Sequence, residues 1–332
     1  MEKSTSILIK KLLVFLFRLI TLLLAVSILS FVLVSLSPVD PVQQYVLAVG
    51  GVSPEQRLEL EEYWGLNDPP VQRYLNWLGA LLRGDFGMSL LYRRPVIDII
   101  SERFKASLAL MMCAWVISGL TGFFAGCAMG MNKDKLLDRV FKKICLLLSS
   151  APTAWLGLLM MMFFAVFLRW FPVGLSSPIG VTSENVTLLQ RIHHLVLPAL
   201  TLSVVSFSGV ALHTRQKLSD VLSSEYVLFA RARGESDVTV MRRHGYRNIV
   251  IPALTLQFAS FAELFGGSVL AENVFSYPGL GSAVAEAGLN SDVPLLLGVT
   301  LFSTIFVYTG NLAANLLYGV INPQTKEGDY HI

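Results

Sequence analysis

Charge is scarce in this sequence. Asp, Glu, Lys and Arg make up 15% of its 332 residues, against about 25% in an ordinary soluble domain. That scarcity argues against a soluble enzyme, and a hydrophobic content of 54% excludes disorder. The formal charge of +3 is too small to mark a nucleic-acid partner. Cysteine is also sparse. Cys113, Cys127 and Cys145 form no CxxC pair and no Cys/His cluster with metal spacing, so they read as small core residues. The dipeptide Gly-Lys is absent, which removes a P-loop and with it that way of binding ATP. HExxH, GxSxG and paired intramembrane aspartates are missing too, so no catalytic residue, metal site or cofactor is expected in this chain.

Long apolar runs are what the sequence does have. A bilayer core about 30 Å thick needs about 20 largely apolar helical residues. Stretches free of Asp, Glu, Lys and Arg run over residues 19–39, 106–132, 144–168, 192–214 and 293–325, and 248–271 is interrupted only by Glu263. Six spanning helices follow, the first starting before Arg18. Lys3, Lys10 and Lys11 resemble the start of a signal peptide, but the apolar segment is too long and no small-residue cleavage site closes it. A retained signal anchor is expected.

Loop charge predicts the orientation. Lys133, Lys135, Arg139, Lys142 and Lys143 crowd loop 132–143, and seven Lys or Arg residues from Arg215 to Arg247 crowd loop 215–247, whereas loop 274–292 has none. Positive loops favour the cytoplasm, so both termini are placed inside and segments 40–103, 169–191 and 274–292 outside. Within the outer segment, Ser53-Pro54-Glu55-Gln56 reads as a capping box opening a helix that Gly65 closes. Val71, Leu75, Leu78 and Leu82 recur at helical spacing after the break Asn67-Asp68-Pro69-Pro70, so a small helical cap is expected rather than a bare connector.

Four further features stand out in the sequence. Gly122, Gly126 and Gly130 form a small-residue stripe for close helix packing. His193 and His194 are adjacent, so on a helix they point about 100° apart and suit polar packing better than chelation. The sequon Asn185-Val186-Thr187 has no meaning without a known host. Glu263 stands inside an apolar span, which makes it either a pathway residue or a structural partner within the bundle.

The inner loop 215–247 reads as two short helices. Ser224-Glu225 starts one through Tyr226, Phe229, Ala230 and Ala232, Gly234 stops it, and Ser236-Asp237 starts the second. Small residues among basic and aromatic ones suit a knob that inserts into a groove on another protein; an amphipathic helix resting on anionic lipid is the alternative.

The run Tyr226-Val-Leu-Phe-Ala230-Arg231-Ala232-Arg233-Gly234, with Arg247-Asn248 and Ile251-Pro252 behind it, resembles the EAA loop of binding-protein-dependent ABC importer permeases. Specifically it is similar to the branch importing dipeptides, oligopeptides and nickel. Leu36-Ser37-Pro38, Asp40-Pro41, Gly65-Leu66, Tyr74-Leu75-Asn76-Trp77-Leu78, Gly84-Asp85-Phe86-Gly87-Met88-Ser89 and Phe275-Ser276-Tyr277-Pro278-Gly279-Leu280-Gly281 extend the match along almost the whole chain. The acidic start usual for the family's EAA segment is absent, as is common in this branch; the chain departs from the branch in Asn322-Pro323-Gln324 and Lys105-Ala106-Ser107, and in Glu263, where an apolar residue is usual.

The resemblance implies an all-α, multi-pass inner-membrane protein with the type I ABC importer transmembrane fold and six spans. Its divisions are a signal-anchor helix over 1–39, an extracellular cap over 40–103, a core over 104–321 with the coupling loop at about 223–247, and a cytoplasmic tail over 322–332. It also implies a second homologous permease, two ATP-binding cassette subunits that bind ATP and Mg, an extracellular solute-binding protein and membrane lipid as partners. The cargo is then a peptide, nickel or a metal chelate. Tyr226, Ala230, Arg231, Ala232 and Gly234 are the expected coupling residues; Glu263, Asn311, Asn315 and Glu272, polar groups on the last two spans, are the candidates for lining the pathway, Glu272 the weaker because it sits near the outer end, where holding the following loop is its alternative role. An ion-coupled secondary transporter is the rival class, but it calls for more buried ionisable groups and visible repeats.

Overall fold

The computed structural model describes residues 2–36, 42–43, 46, 51, 53–63, 67–181 and 185–321. Ser37-Pro38, Asp40-Pro41, Gly65-Leu66 and the tail 322–332 lie outside the described residues, as do the side chains of Arg247 and Asn315.

Backbone amides in a bilayer find no water, so apolar runs of this length must fold as helices. In chain order these are α1 Glu2–Ser35, α2 Pro54–Tyr63, α3 Pro70–Leu82, α4 Val96–Met131, α5 Leu136–Ser150 and α6 Thr153–Met160, the last continuing as a π-helical stretch Met161–Phe167. Then come α7 Leu188–Leu222, α8 Glu225–Ala232, α9 Asp237–Val240, a π-helical turn Met241–Gly245, α10 Tyr246–Ala259, α11 Phe261–Val274, α12 Leu280–Leu289 and α13 Val293–Ile321. Among the described residues four helices, within α1, α4, α7 and α13, are long and apolar enough to cross a membrane alone. The pairs α5–α6 and α10–α11 bring the crossings to six when each bent pair counts as one.

The chain divides into two units, Met1–Ala106 with Gly279–Tyr308, and Ser107–Pro278 with Thr309–Ile332. In the first unit the expected capping box is formed: Gln56 N donates to Ser53 Oγ at 3.1 Å and Ser53 N to Gln56 Oε1 at 3.0 Å. Tyr74 of α3 packs edge-on against Phe31 of α1 at 5.4 Å and hydrogen-bonds Ser27 at 2.8 Å. The buried Asp292 accepts from Ser89 Oγ at 2.5 Å and Leu91 N at 3.0 Å, and its other oxygen accepts Leu295 N at 3.2 Å at the start of α13. Tyr92 donates to Glu286 of α12 and accepts from Arg103 Nη2 at 2.7 Å. Burial, reinforced by that hydrogen bond, pushes the Tyr92 phenol up to about 12, so it remains a donor at physiological pH.

In the second unit α4 lies on α7 along the glycine stripe. A Cβ at Gly126 would sit 2.6 Å from Ala211 O and Thr214 Cβ, and one at Gly122 would sit 2.9 Å from Val210 Cβ. Those distances are below any real contact, so the backbones approach as the sequence predicts. α5 is tied to α7 by an ion pair: Arg215 donates through Nε and, at 2.6 Å, through Nη2 to Asp138, and both side chains are buried.

Two spans differ from the uninterrupted runs expected. Residues 144–168 do not form one helix, because α5 and α6 meet at 111°. Pro152 has no N–H and excludes the residue before it from helical conformation, and Ala151 accordingly takes φ −86, ψ 134. α10 and α11 bend by 48° around Ser260, whose hydroxyl donates to Gln257 O at 2.9 Å. Loop 274–292 also holds α12, which no signal in the sequence identifies.

Candidate functional site

α8 and α9 are the two short helices expected in the inner loop. Ser224 precedes α8 in extended conformation, though its hydroxyl donates back to Val221 O at 2.5 Å rather than capping the helix. Val227 and Ala230 point inward and pack with Val240, while Tyr226, Leu228, Phe229, Arg231 and Ala232 are exposed. Phe229 and Leu228 are 66% and 54% accessible, which makes them the protruding apolar groups of the knob. Gly234 has φ +88, the left-handed stop that was expected, with open space around it.

This arrangement revises two expectations about size. Ala230 is small because it is buried in the loop's own core, not because it enters a groove. Gly234 is glycine for its backbone conformation, since no atom lies within 4 Å of a Cβ placed there. Ala232 and Arg231 face outward. The knob is anchored to the following span, because Asn248 Nδ2 donates to Tyr226 Oη at 3.2 Å. Phe123 and Tyr246 add an edge-on contact at 6.2 Å between α4 and the start of α10.

The four pathway candidates part company. Glu272 is fully buried and accepts from Ser107 Oγ at 2.6 Å, while its backbone carbonyl accepts Tyr277 N at 2.8 Å, so it holds the turn after α11. Burial first, then the nearby Glu272 charge, pushes the Tyr277 phenol up to about 12. Glu263 is exposed near the start of α11, and among the described residues its carboxylate forms no hydrogen bond or ion pair. Asn311 is exposed on α13, and Asn315 lies one helical turn further along it. His193 and His194 each bond a loop carbonyl, Trp170 O and Gly174 O, both at 2.9 Å, consistent with polar packing.

Sequence reasoning passed over two polar groups that organise these spans. Gln257 is buried in α10 and exchanges bonds with Trp115: Trp115 Nε1 donates to Gln257 O at 2.8 Å and Gln257 Nε2 to Trp115 O at 2.6 Å. An uncharged residue inside an apolar run carries no flag, although amides there always need partners. The Asp138–Arg215 pair is hidden in the sequence because Arg215 reads as loop charge and no local pattern marks Asp138 as its partner.

The family described as binding-protein-dependent transport system inner membrane component matches residues 122–327, most of the chain and the whole knob. The chain belongs to that family. Among similar relatives of this permease, the oligopeptide transport system permease protein AppB of Bacillus subtilis (strain 168) is 33% identical over 92% of this chain and 96% of its own. The glutathione transport system permease protein GsiC of Escherichia coli (strain K12) is 34% identical over 93% and 96%, respectively. The di/tripeptide transport system permease protein DppB of Pseudomonas aeruginosa (strain UCBPP-PA14) is 32% identical over 91% and 94%. In fold, the permease is similar to a chain of the MetNI methionine ABC transporter solved in inward-facing conformations, with a TM-score of 0.53, 16% identity, and coverage of 68% of this chain and 97% of that one. The chain is thus a permease subunit of a binding-protein-dependent ABC importer with the type I transmembrane fold, located in the inner membrane.

Proposed function

We propose that this subunit forms half of the pathway of an ATP-driven peptide importer, with a second permease, two ATPase subunits that bind ATP and Mg, and an external solute-binding protein. Both termini are cytoplasmic, which leaves α8 and α9 on the side where the ATPases work. Of peptides, nickel and metal chelates, peptides are favoured by the three relatives named for oligopeptide, di/tripeptide and glutathione transport.

One observation carries the coupling role. α8 exposes Leu228, Phe229, Arg231 and Ala232 together while Val227 and Ala230 lock its other side to Val240. A helix held this way moves as a rigid lever, and Tyr226 and Asn248 join it to the next span. ATP-driven closure of the partner subunits then switches the spans between inward-open and outward-open states.

The experiment is a cysteine cross-link. A cysteine at Phe229 should cross-link to a cysteine in the ATPase groove and co-purify with it. A cysteine at Val227, buried beneath, should not. Cross-linking of neither position, with labelling of Phe229 by a lipid-borne reagent instead, would place the knob on the membrane surface.

A further inference from the structure

α11 turns one stripe outward. Glu263, Gly266, Leu270 and Asn273, at i, i+3, i+7 and i+10, are exposed, while Leu264, Ser268, Ala271 and Glu272 on the other side are buried. Hydrocarbon strongly disfavours a carboxylate, so a lipid-facing stripe would be apolar throughout. This stripe carries a carboxylate and a carboxamide instead. Between them Gly266 leaves open space, with no atom within 4 Å of a Cβ placed there. Beside the stripe, a Cβ at Gly310 of α13 would meet the Phe261 ring at 3.6 Å, and the next residue, Asn311, is exposed. Asn311 thus adds a second exposed polar group to the same unit, on the span that packs against Phe261. Among the described residues the Glu263 carboxylate has no hydrogen-bond or ion-pair partner, and it is exposed.

We infer that Glu263 faces the solute pathway and makes the permease select for solutes carrying positive charge: peptides bearing a Lys or Arg side chain over peptides bearing Glu or Asp. The inference rests on the reading of this chain as a peptide-importer permease. A carboxylate attracts a passing ammonium and repels a passing carboxylate. In partly aqueous surroundings, at separations of several ångströms, one such charge changes relative flux by about tenfold. Asn311, on the neighbouring span, offers donor and acceptor without charge and so adds hydration rather than sign.

The test is uptake of three tripeptides of similar size, Ala-Lys-Ala, Ala-Ala-Ala and Ala-Glu-Ala, by cells carrying the full transporter. The readout is the ratio of lysine-peptide to glutamate-peptide uptake, with the amount of this subunit in the membrane measured alongside. All variants share one solute-binding protein, so its own preference cancels between them. Glu263→Gln should lower the ratio about tenfold relative to wild type, Glu263→Asp should preserve it, and Glu263→Lys should invert it. An unchanged ratio in Glu263→Gln, with the subunit present in the membrane, would overturn the selective role of Glu263. Failure of the wild type to take up any of the three would instead overturn the peptide reading itself.

Discussion

At the scale of single residues, the coupling loop shows how one small side chain can be required for two different reasons. Ala230 is buried against Val227 and Val240, so enlarging it overpacks the loop's interior, at a cost of about 1–3 kcal/mol. Gly234 sits at φ +88 with open space around it, so what it forbids is a Cβ in a left-handed backbone, not bulk. Gly234→Ala and Gly234→Leu should therefore impair the loop equally, by about 1–2 kcal/mol, and Gly234→Asn should be milder. Protease susceptibility of the loop in the assembled transporter measures this. A loss that grows with side-chain size would mean that Gly234 is pressed against a partner. The sequence could announce the glycine stop but not the direction of Ala230, because a helix of eight residues has too little periodicity to fix its buried face. Tyr92 gives a residue-scale pH statement. Its folded value is raised to about 12 from an ordinary 10, so its contribution is intact below pH 10 and is lost only as pH climbs through about 12.

At the scale of elements, spans are legible where composition alone decides them and illegible where one residue redirects the chain. The six apolar runs, the capping box at Ser53 and the stripe at Gly122, Gly126 and Gly130 all follow from spacing and residue type. The 111° break at Ala151-Pro152 does not, because a proline within an apolar run ends a helix or merely kinks it according to what packs nearby. Pro198 inside α7 is the contrary case, since that helix runs on from Leu188 to Leu222. The ion pair between Asp138 and Arg215 holds α5 on α7 across 77 residues of sequence, and no local pattern encodes such a partnership. Removing one member leaves a buried charge unpaired, which costs about 3–5 kcal/mol. Asp138→Asn or Arg215→Met should each lower the thermal midpoint of the purified transporter in detergent, and the double substitution should lower it less than the sum. Additive losses would show that the two side chains do not stabilise one another.

At the scale of the whole molecule, class and membrane location were readable from scarcity of charge, length of apolar runs and the match along the chain, and the family comparison agrees with them. Cargo was not readable, because three relatives of nearly equal identity are named for different peptide solutes. The pathway candidates illustrate the limit. Glu263 and Glu272 look alike as isolated carboxylates in an apolar sequence, yet one is exposed and the other is fully buried against Ser107. Only the fold distinguishes them.

The central claim, that this chain is the transmembrane half of an ATP-driven, binding-protein-dependent importer, is tested most directly in sealed proteoliposomes. They should contain this subunit, its partner permease and the two ATPases, with a loaded solute-binding protein on the outside. The account predicts that peptide accumulates only when ATP is enclosed and the binding protein is present, and that omitting this subunit abolishes accumulation. Accumulation driven by an imposed proton gradient without ATP would contradict it and identify an ion-coupled transporter instead.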